Sequence, residues 1–460
     1  MNLIIKTIFI CTISILFIAC TQKRLDLNIK YPQLPKSYNK SDNSIKIDED
    51  WLHTLKDKQL IELVNTALNN NHQLKQLFYD MKIKEQELTV SKSLFFPTLD
   101  LNANISKNGD FQGDKDSSIS KASLNFQYEV DLWGKLSDSA KAKNMQLLET
   151  KALYEEEKHQ LIADVTILYY GIVEANKLLN LYEKNLETSK KYYDLILSRY
   201  KQGISEALDT LLAKNSIYTQ ESKITNLKTT KTQAIYKLEQ LLGQYPKGKL
   251  DIKKDLPTIN TTFNIGVPSQ IIEKKHSIVA SWNSLLSKDF QLAYTHKQRL
   301  PSLNIQASIE NIKNDGLPST WSLLGGLTAP IFNAGKLKAN EKIAYFELKK
   351  AELEYLNTIF DVFVEIENYI EKEKNLLSEF ETLKNSYENA QKSLSLSLNQ
   401  YIKGLIEYPT VLDLQESLYN TQASLIQIKK SIIENRINLH KALGGDFLSK
   451  GENKEFNKNE

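Results

Sequence analysis

Cysteine is nearly missing from this 460-residue chain, which carries only Cys11 and Cys20. Proline and glycine are scarce too, at ten and sixteen residues, so little in the sequence interrupts a long helix. Net charge is small: 59 lysines and arginines stand against 56 aspartates and glutamates. A balance so close carries no bulk signal for nucleic acid or for anionic lipid. Six histidines (His53, His72, His159, His276, His296, His440) are scattered along the chain, without carboxylate or cysteine partners at metal-ligand spacing. The run "EEEKH" at 155–159 reads as a solvated helix face. No phosphate-binding loop, dinucleotide glycine pattern or nucleophile elbow occurs. These gaps argue against an enzyme, and neither a metal nor a cofactor is expected. What remains is an ordered chain, 41% hydrophobic and 25% charged.

The first residues, "MNLIIKTIFICTISILFIAC", read as a targeting segment. Lys6 precedes an apolar run from Thr7 to Ala19, too short and too early for a membrane span. It ends in "LFIAC", which resembles the bacterial lipoprotein cleavage box, with Ala19 directly before Cys20 and Phe17 where an aliphatic residue is usual. Residues 1–19 are therefore expected to be a lipoprotein signal peptide, Cys20 to carry lipid, and 20–50 to form the lipid-anchored segment. Cys11 leaves with the signal, so the mature chain has no intrachain disulfide. Thr21 stands where an aspartate would retain the protein at the inner membrane, which favours the outer membrane.

The remainder is a tandem repeat. "FFPTLDLNANI" around Pro97 recurs as "RLPSLNIQASI" around Pro301, and "VDLWGK" ending at Lys135 recurs as "PIFNAGK" ending at Lys336. "RYKQGISEALDTLLAKNSIY" recurs as "QYIKGLIEYPTVLDLQESLY", with Gly203 matching Gly404. The repeats are placed at 51–244 and 268–444, joined by a turn-rich linker over 245–267 and followed by a polar tail over 445–460. Each reads as helix, strand, strand, long helix, helix. Apolar or small residues at Leu161, Val165, Leu168, Ile172, Ala175, Leu179, Tyr182, Leu186, Ser189, Tyr193, Ile196 and Tyr200 alternate steps of four and three, a heptad seam. A second seam runs from Val362 to Tyr401, with Glu373 and Ser397 as polar breaks. Long helices are expected over about 138–202 and 338–402, roughly 95 Å each at 1.5 Å per residue, and shorter ones over about 59–92, 207–243, 269–299 and 410–444. The seams alone would also suit a periplasmic coiled-coil lipoprotein acting as a spacer.

Four segments alternate with period two, as strands do. Leu99, Leu101, Ala103 and Ile105 oppose Asp100, Asn102, Asn104 and Ser106, and Ala122, Leu124, Phe126, Tyr128 and Val130 oppose Ser123, Asn125, Gln127, Glu129 and Asp131. Leu303, Ile305, Ala307 and Ile309 oppose Asn304, Gln306, Ser308 and Glu310. The fourth, "TWSLLGGLTAPIF", is weaker, because Leu324 falls on its polar side. Strands of about ten residues suit a tilted bilayer crossing, with apolar residues to lipid and polar ones to a wet lumen. A sheet edge cannot stay open in hydrocarbon, and four strands cannot enclose a lumen, so an oligomer is expected; three copies would give twelve strands. Phe95, Phe96, Trp133, Trp321 and Phe332 near the strand ends suit an interfacial girdle or ordinary packing.

"YEVDLWGK" (Tyr128 to Lys135), "PIFNAGK" (Pro330 to Lys336), "FFPTL", "LPSL" and both "Y-x-x-G" turns resemble the TolC-like outer membrane factors, in particular the lipoprotein branch serving RND-type multidrug efflux systems. "VPSQIIEKKHSIVAS" stands where that family has "GLPSxLLxRRPDIxxA", with Lys274, Lys275, His276 and Ser277 replacing Arg-Arg-Pro-Asp. The resemblance implies a mainly α fold of two tandem repeats, with long periplasmic coiled-coil helices and four transmembrane strands per chain, closing as a homotrimer into a twelve-stranded barrel and a helical tube. It implies a passive exit duct of a tripartite pump, partnered by a periplasmic adaptor and an inner-membrane transporter of the RND type. It also implies functional tips at the turns Gly203 and Gly404, with Asp209 and Glu407 beside the adaptor contact. The acidic constriction of related ducts falls six and nine residues after the second glycine, here Thr410 and Asp413, so a gate of three Asp413 carboxylates is expected. Asp209 also has a sufficient role as a charge at a helix start. The usual basic partner is Ile406 here, so an inter-helix ionic latch is not expected. A type I protein-secretion duct is the alternative within the family.

Overall fold

A computed structural model of the chain describes residues 51–108, 117–252, 255–257, 268–313 and 320–447. The expected signal peptide, Cys20, the segment up to residue 50 and most of the polar tail lie outside the described residues. In chain order the elements are α1 (Trp51–Thr54), α2 (Lys58–Asn70), α3 (His72–Ser93), β1 (Thr98–Asn108), β2 (Ser117–Val130), α4 (Lys135–Lys201), α5 (Ala207–Leu241), α6 (Pro268–Lys274), α7 (His276–Lys297), β3 (Ser302–Lys313), β4 (Thr320–Thr328), α8 (Lys336–Ile402) and α9 (Tyr408–Ala442). Two compact units divide them: one contains residues 89–144 and 285–353, the other 51–88, 145–284 and 354–447.

The first unit holds one antiparallel sheet in the order β1-β2-β3-β4. β4 stops at Thr328 rather than continuing through Phe332, because Pro330 has no N–H for a ladder and Ile331 and Phe332 turn out exposed. The motif "VDLWGK" is the joint between sheet and helix. Asp131 leaves β2 and caps α4, its two carboxylate oxygens accepting from Leu136 N and Ser137 N at 2.9 Å each. Trp133 Nε1 donates to the Pro301 carbonyl at 2.6 Å, tying the first repeat to the start of β3. Gly134 takes φ +74°, and its counterpart Gly335 takes φ +84°.

The second unit is helical. The heptad positions of α4 turn inward: Leu161, Val165, Ile172, Ala175, Ser189 and Ile196 are buried. So are Val362, Ile366, Leu376, Leu394, Ser397 and Tyr401 of α8. Tyr200 is the departure, exposed in the last turn of α4 just before the chain reverses. Glu373, the polar break of the second seam, accepts from Arg436 Nε at 2.7 Å and Asn435 Nδ2 at 3.0 Å on α9. A large core of α1 to α5 and α9 side chains centres on Leu60, Val165, Tyr169, Ile172, Leu238 and Ile437.

Two helices expected as single pieces are each split, at equivalent places in the repeats. At Asn71 the side chain replaces the helix ladder: Oδ1 accepts from Leu74 N at 3.0 Å and Nδ2 donates to the Leu241 carbonyl at 3.0 Å. At Lys275 a buried ammonium donates to Glu156 Oε1 at 2.6 Å and to the Lys441 carbonyl at 3.3 Å. Each break faces a glycine with positive φ that ends the neighbouring helix, Gly243 and Gly444. A Cβ on Gly243 would stand 2.6 Å from the Asn70 carbonyl oxygen, which is backbone and has no rotamer to yield. Gly243→Ala is therefore expected to destabilise the chain by about 2 kcal/mol or more, through left-handed strain and this clash together. A thermal melt tests this against Gly203→Ala, whose Cβ would meet nothing within 4 Å and which carries the φ strain alone.

Candidate functional site: a lipid-facing sheet and a closing tip

The sheet register sorts its side chains into two opposite surfaces. Leu101, Leu124, Ile309 and Trp321 form one cross-strand row, and Leu99, Phe126, Ala307 and Leu323 the next. Behind them lie Asp100, Asn125, Ser308 and Ser322, then Asn102, Ser123, Glu310 and Thr320. The polar face is knitted within itself, by the Lys121–Glu310 ion pair at 2.9 Å and a Ser308–Ser322 hydroxyl bond at 2.8 Å. The apolar face is bare. Leu101 is 75% exposed, Trp321 79% and Ile105 83%, while the buried residue of the described sheet is the polar Ser123. A sheet in water hides its greasy face, at about 2 kcal/mol for each large side chain. Here large apolar side chains of β1, β3 and β4 stay exposed instead, as suits a face turned to hydrocarbon. No helix among the described residues is long and apolar enough to cross a membrane.

The two glycine turns of the helical unit are copies of one device. Ile204 N donates to the Arg199 carbonyl and Gly203 N to the Tyr200 carbonyl, each at 2.9 Å. Leu405 N and Gly404 N repeat this on the Gln400 and Tyr401 carbonyls, again at 2.9 Å. This paired bonding closes a helix end when the glycine takes positive φ, and Gly203 and Gly404 sit at +74° and +75°. The following helices start from Glu206 and Glu407, both extended and neither capping with its side chain. Pro409 lies in the first turn of α9, where its missing N–H costs nothing.

Around these turns, Ile196, Ala213, Leu394, Tyr401, Tyr408 and Val411 form a small core of their own. Asp209 sits in the first turn of α5, and its carboxylate accepts from the Tyr401 hydroxyl at 3.3 Å. The Arg199 guanidinium lies 5.1 Å from the centre of the Tyr401 ring, and Arg199 Nη1 donates to the Ile402 carbonyl at 3.2 Å. Burial foremost, with the Asp209 charge also acting, holds the Tyr401 phenol above its ordinary range, so it remains a donor. Ile406, which stands where the family resemblance implies a basic partner, packs against the tip core. A tyrosine from α8, rather than a cation, thus reaches Asp209. Thr410 and Asp413 are exposed on the first turns of α9.

Two clusters escaped the linear reading. The first is a buried polar layer where α4, α5 and α9 meet: Gln415 Nε2 donates to Ser189 Oγ at 3.1 Å and to the Tyr419 hydroxyl at 2.8 Å, and Tyr419 donates to the Asn185 carbonyl at 3.2 Å. Ser189 was legible only as a small heptad residue. The second corrects the expectation that the histidines are scattered, since His159 and His440 pack on Phe447 and His276 packs on His159. No group of three or more His, Cys, Asp or Glu among the described residues is arranged to hold a metal ion.

An antiparallel sheet with one apolar and one polar face, on a chain of long repeated helices that end in glycine turns, has the architecture of a TolC-like channel. The chain belongs to the outer membrane efflux protein family, whose model matches residues 63–244 and 267–445. Among similar proteins, the probable outer membrane lipoprotein SilC of Salmonella typhimurium is 23% identical over 431 residues, 90% of this chain and 93% of that one. The solvent efflux pump outer membrane protein SrpC of Pseudomonas putida is 25% identical over 413 residues, 85% of this chain and 86% of that one. The CmeC outer membrane channel of Campylobacter jejuni superposes with a TM-score of 0.84 at 21% identity, over 94% of this chain and 98% of that one, which establishes the fold. The protein is an efflux channel of the outer membrane.

Proposed function

We propose that three copies of this chain form the exit duct of a tripartite efflux pump, passing what a periplasmic adaptor and an RND-type inner-membrane transporter deliver. The bare apolar face carries the reading. Because β1 and β4 bound an even-stranded antiparallel sheet, they run in opposite directions, and β4 of one copy can pair antiparallel with β1 of the next. Three such head-to-tail joints close a twelve-stranded ring and leave no edge in lipid. Lipid on Cys20 would add an anchor beside the barrel. Gly203 and Gly404, with Asp209 and Glu407 next to them, are the proposed adaptor contact. Exposed Asp413 and Thr410 are the proposed gate, where three carboxylates would favour cations and repel anions.

The test is a deletion strain, the same strain carrying the gene on a plasmid, and accumulation of a fluorescent efflux dye. Retention of dye in the deletion strain, reversed by the plasmid, is the expected result, and unchanged accumulation would remove the efflux reading. For the gate, Asp413→Ala is expected to lower the cation-over-anion preference of single-channel currents in planar bilayers severalfold at low salt, with assembly unaffected. An unchanged preference would place Asp413 away from the constriction.

A further inference from the structure

His159 of α4, His276 at the start of α7 and His440 in the last turn of α9 come from three distant stretches, and the fold brings them to the two ends of the described chain. The His159 and His276 rings are 5.0 Å apart, nearly edge to face. Phe447 lies 5.8 Å from His159 and 4.8 Å from His440, fully buried. Trp51 stacks on His440 at 5.6 Å and meets Phe447 edge-on at 6.1 Å. Beneath the rings, Leu52 N donates to the Phe447 carbonyl at 3.2 Å, and His440 Nε2 donates to the Asp446 carbonyl at 3.2 Å. Gly445 passes so close that a Cβ there would stand 2.4 Å from the His440 ring.

The surroundings are poor in compensating acid. On its own helix His159 neighbours Lys158 and Glu156, and Glu156 is engaged by Lys275 at 2.6 Å. Across from it stand Lys275 and His276 at the α6–α7 break, and His440 on α9. Lys441 of α9 is turned to Gln160 at 2.8 Å. The carboxylate facing His159 is Asp446, 3.8 Å from Nε2 and itself part of the held segment. Burial first, then the charges of His276, Lys158, Lys275 and His440, bring the His159 pKa down from 6.5 to about 3.

We propose that this histidine cluster is an acid-operated clasp: with His159 uncharged, its rings pin residues 51–52 and 446–447 together, and on acidification a proton on His159, set among cations in a buried site, lets both ends go. The clasp lies wholly within the helical unit and stands independently of the duct's cargo and partners. The direction follows from linkage. An open His159 binds its proton near pH 6.5, whereas a closed one resists until about pH 3. The closed form is thus fully favoured above pH 6.5 and loses ground as pH falls towards 3. Between pH 7.5 and 5.0 the opening equilibrium should rise roughly ten- to thirtyfold.

The experiment is hydrogen exchange by mass spectrometry on the full-length protein in detergent, at pH 7.5 and 5.0, with protection corrected for the intrinsic exchange rate. In the native protein, protection of the Leu52 amide and of the 443–447 segment is expected to fall roughly ten- to thirtyfold at pH 5.0, while α5 amides hold. His159→Phe keeps a packed ring and removes the titration, so its loss should shrink to about threefold or less. Should that variant fail to assemble, His276→Gln takes away the foremost charge that depresses His159 and should likewise shrink the loss. Equal protection at both pH values, or an undiminished loss in the variant, overturns the proposal.

Discussion

Ile309→Arg is expected to keep the protein from assembling in the outer membrane, whereas Ser308→Arg, one residue earlier, leaves it there. The two side chains lie on opposite faces of β3. Ile309 sits in the row Leu101–Leu124–Ile309–Trp321, bare on its outer side, while Ser308 bonds to Ser322 on the polar face. An arginine near the middle of a lipid-facing strand costs about 2–4 kcal/mol, and the proposed ring of three copies would incur it three times. On the polar face the guanidinium meets water and the neighbouring Glu310. The measurement is the amount of heat-modifiable oligomer in the outer-membrane fraction, read on a gel without boiling. Equal loss for the two variants would mean that both faces are packed against protein, and the assignment of the apolar face to lipid would fall with it.

Tyr401→Phe is expected to open the tip. The substitution removes one hydroxyl that reaches the Asp209 carboxylate at 3.3 Å and leaves the ring for Arg199 and Tyr408 to pack on. A hydrogen bond to a charged acceptor in a partly wet site contributes about 1 kcal/mol, or roughly fivefold in an opening equilibrium. In a trimer whose three tips part together, the factors multiply to about 100-fold. Single-channel recording would show this as a larger and more frequent open level. Asp209→Asn should act in the same direction with a smaller effect, since an amide oxygen still accepts. If Tyr401→Phe conducts like the native protein, the tip is held by its apolar core around Val411 and Tyr408, and the hydroxyl bond is incidental.

Much of this was legible beforehand because it is periodic. A step of two cannot be mistaken for one of three and four, so β1 to β3 and the seams of α4 and α8 could be placed from residue type alone. Gly203 and Gly404 were readable as turns because a left-handed helix end has few alternatives to glycine. The helix breaks at Asn71 and Lys275 were not readable. Neither residue forbids a helix, and each is drawn out of one by a partner far along the chain, the Leu241 carbonyl for Asn71 and Glu156 for Lys275. The Tyr401–Asp209 contact was hidden for the same reason, with 192 residues between its members. The replacement of the family's Arg-Arg-Pro-Asp by Lys-Lys-His-Ser looked like simple divergence in the sequence. In the fold, Lys275 ties the helix break to α4 and α9, and His276 closes the ring contact with His159.

Taken alone, the sequence determined which residues share a face, how far the two long helices run and that the chain repeats itself. Those properties follow from local geometry, the 1.5 Å rise of a helix and the alternation of a strand, and need no knowledge of neighbours. Only the tertiary structure decided which face is bare, which carboxylate a tyrosine reaches and which histidines meet. Burial and partnership depend on what the rest of the chain leaves beside a residue. A leucine at a strand position carries the same letter whether it faces a core or a bilayer, and an isolated histidine in the sequence can become one of three in a single cluster of rings.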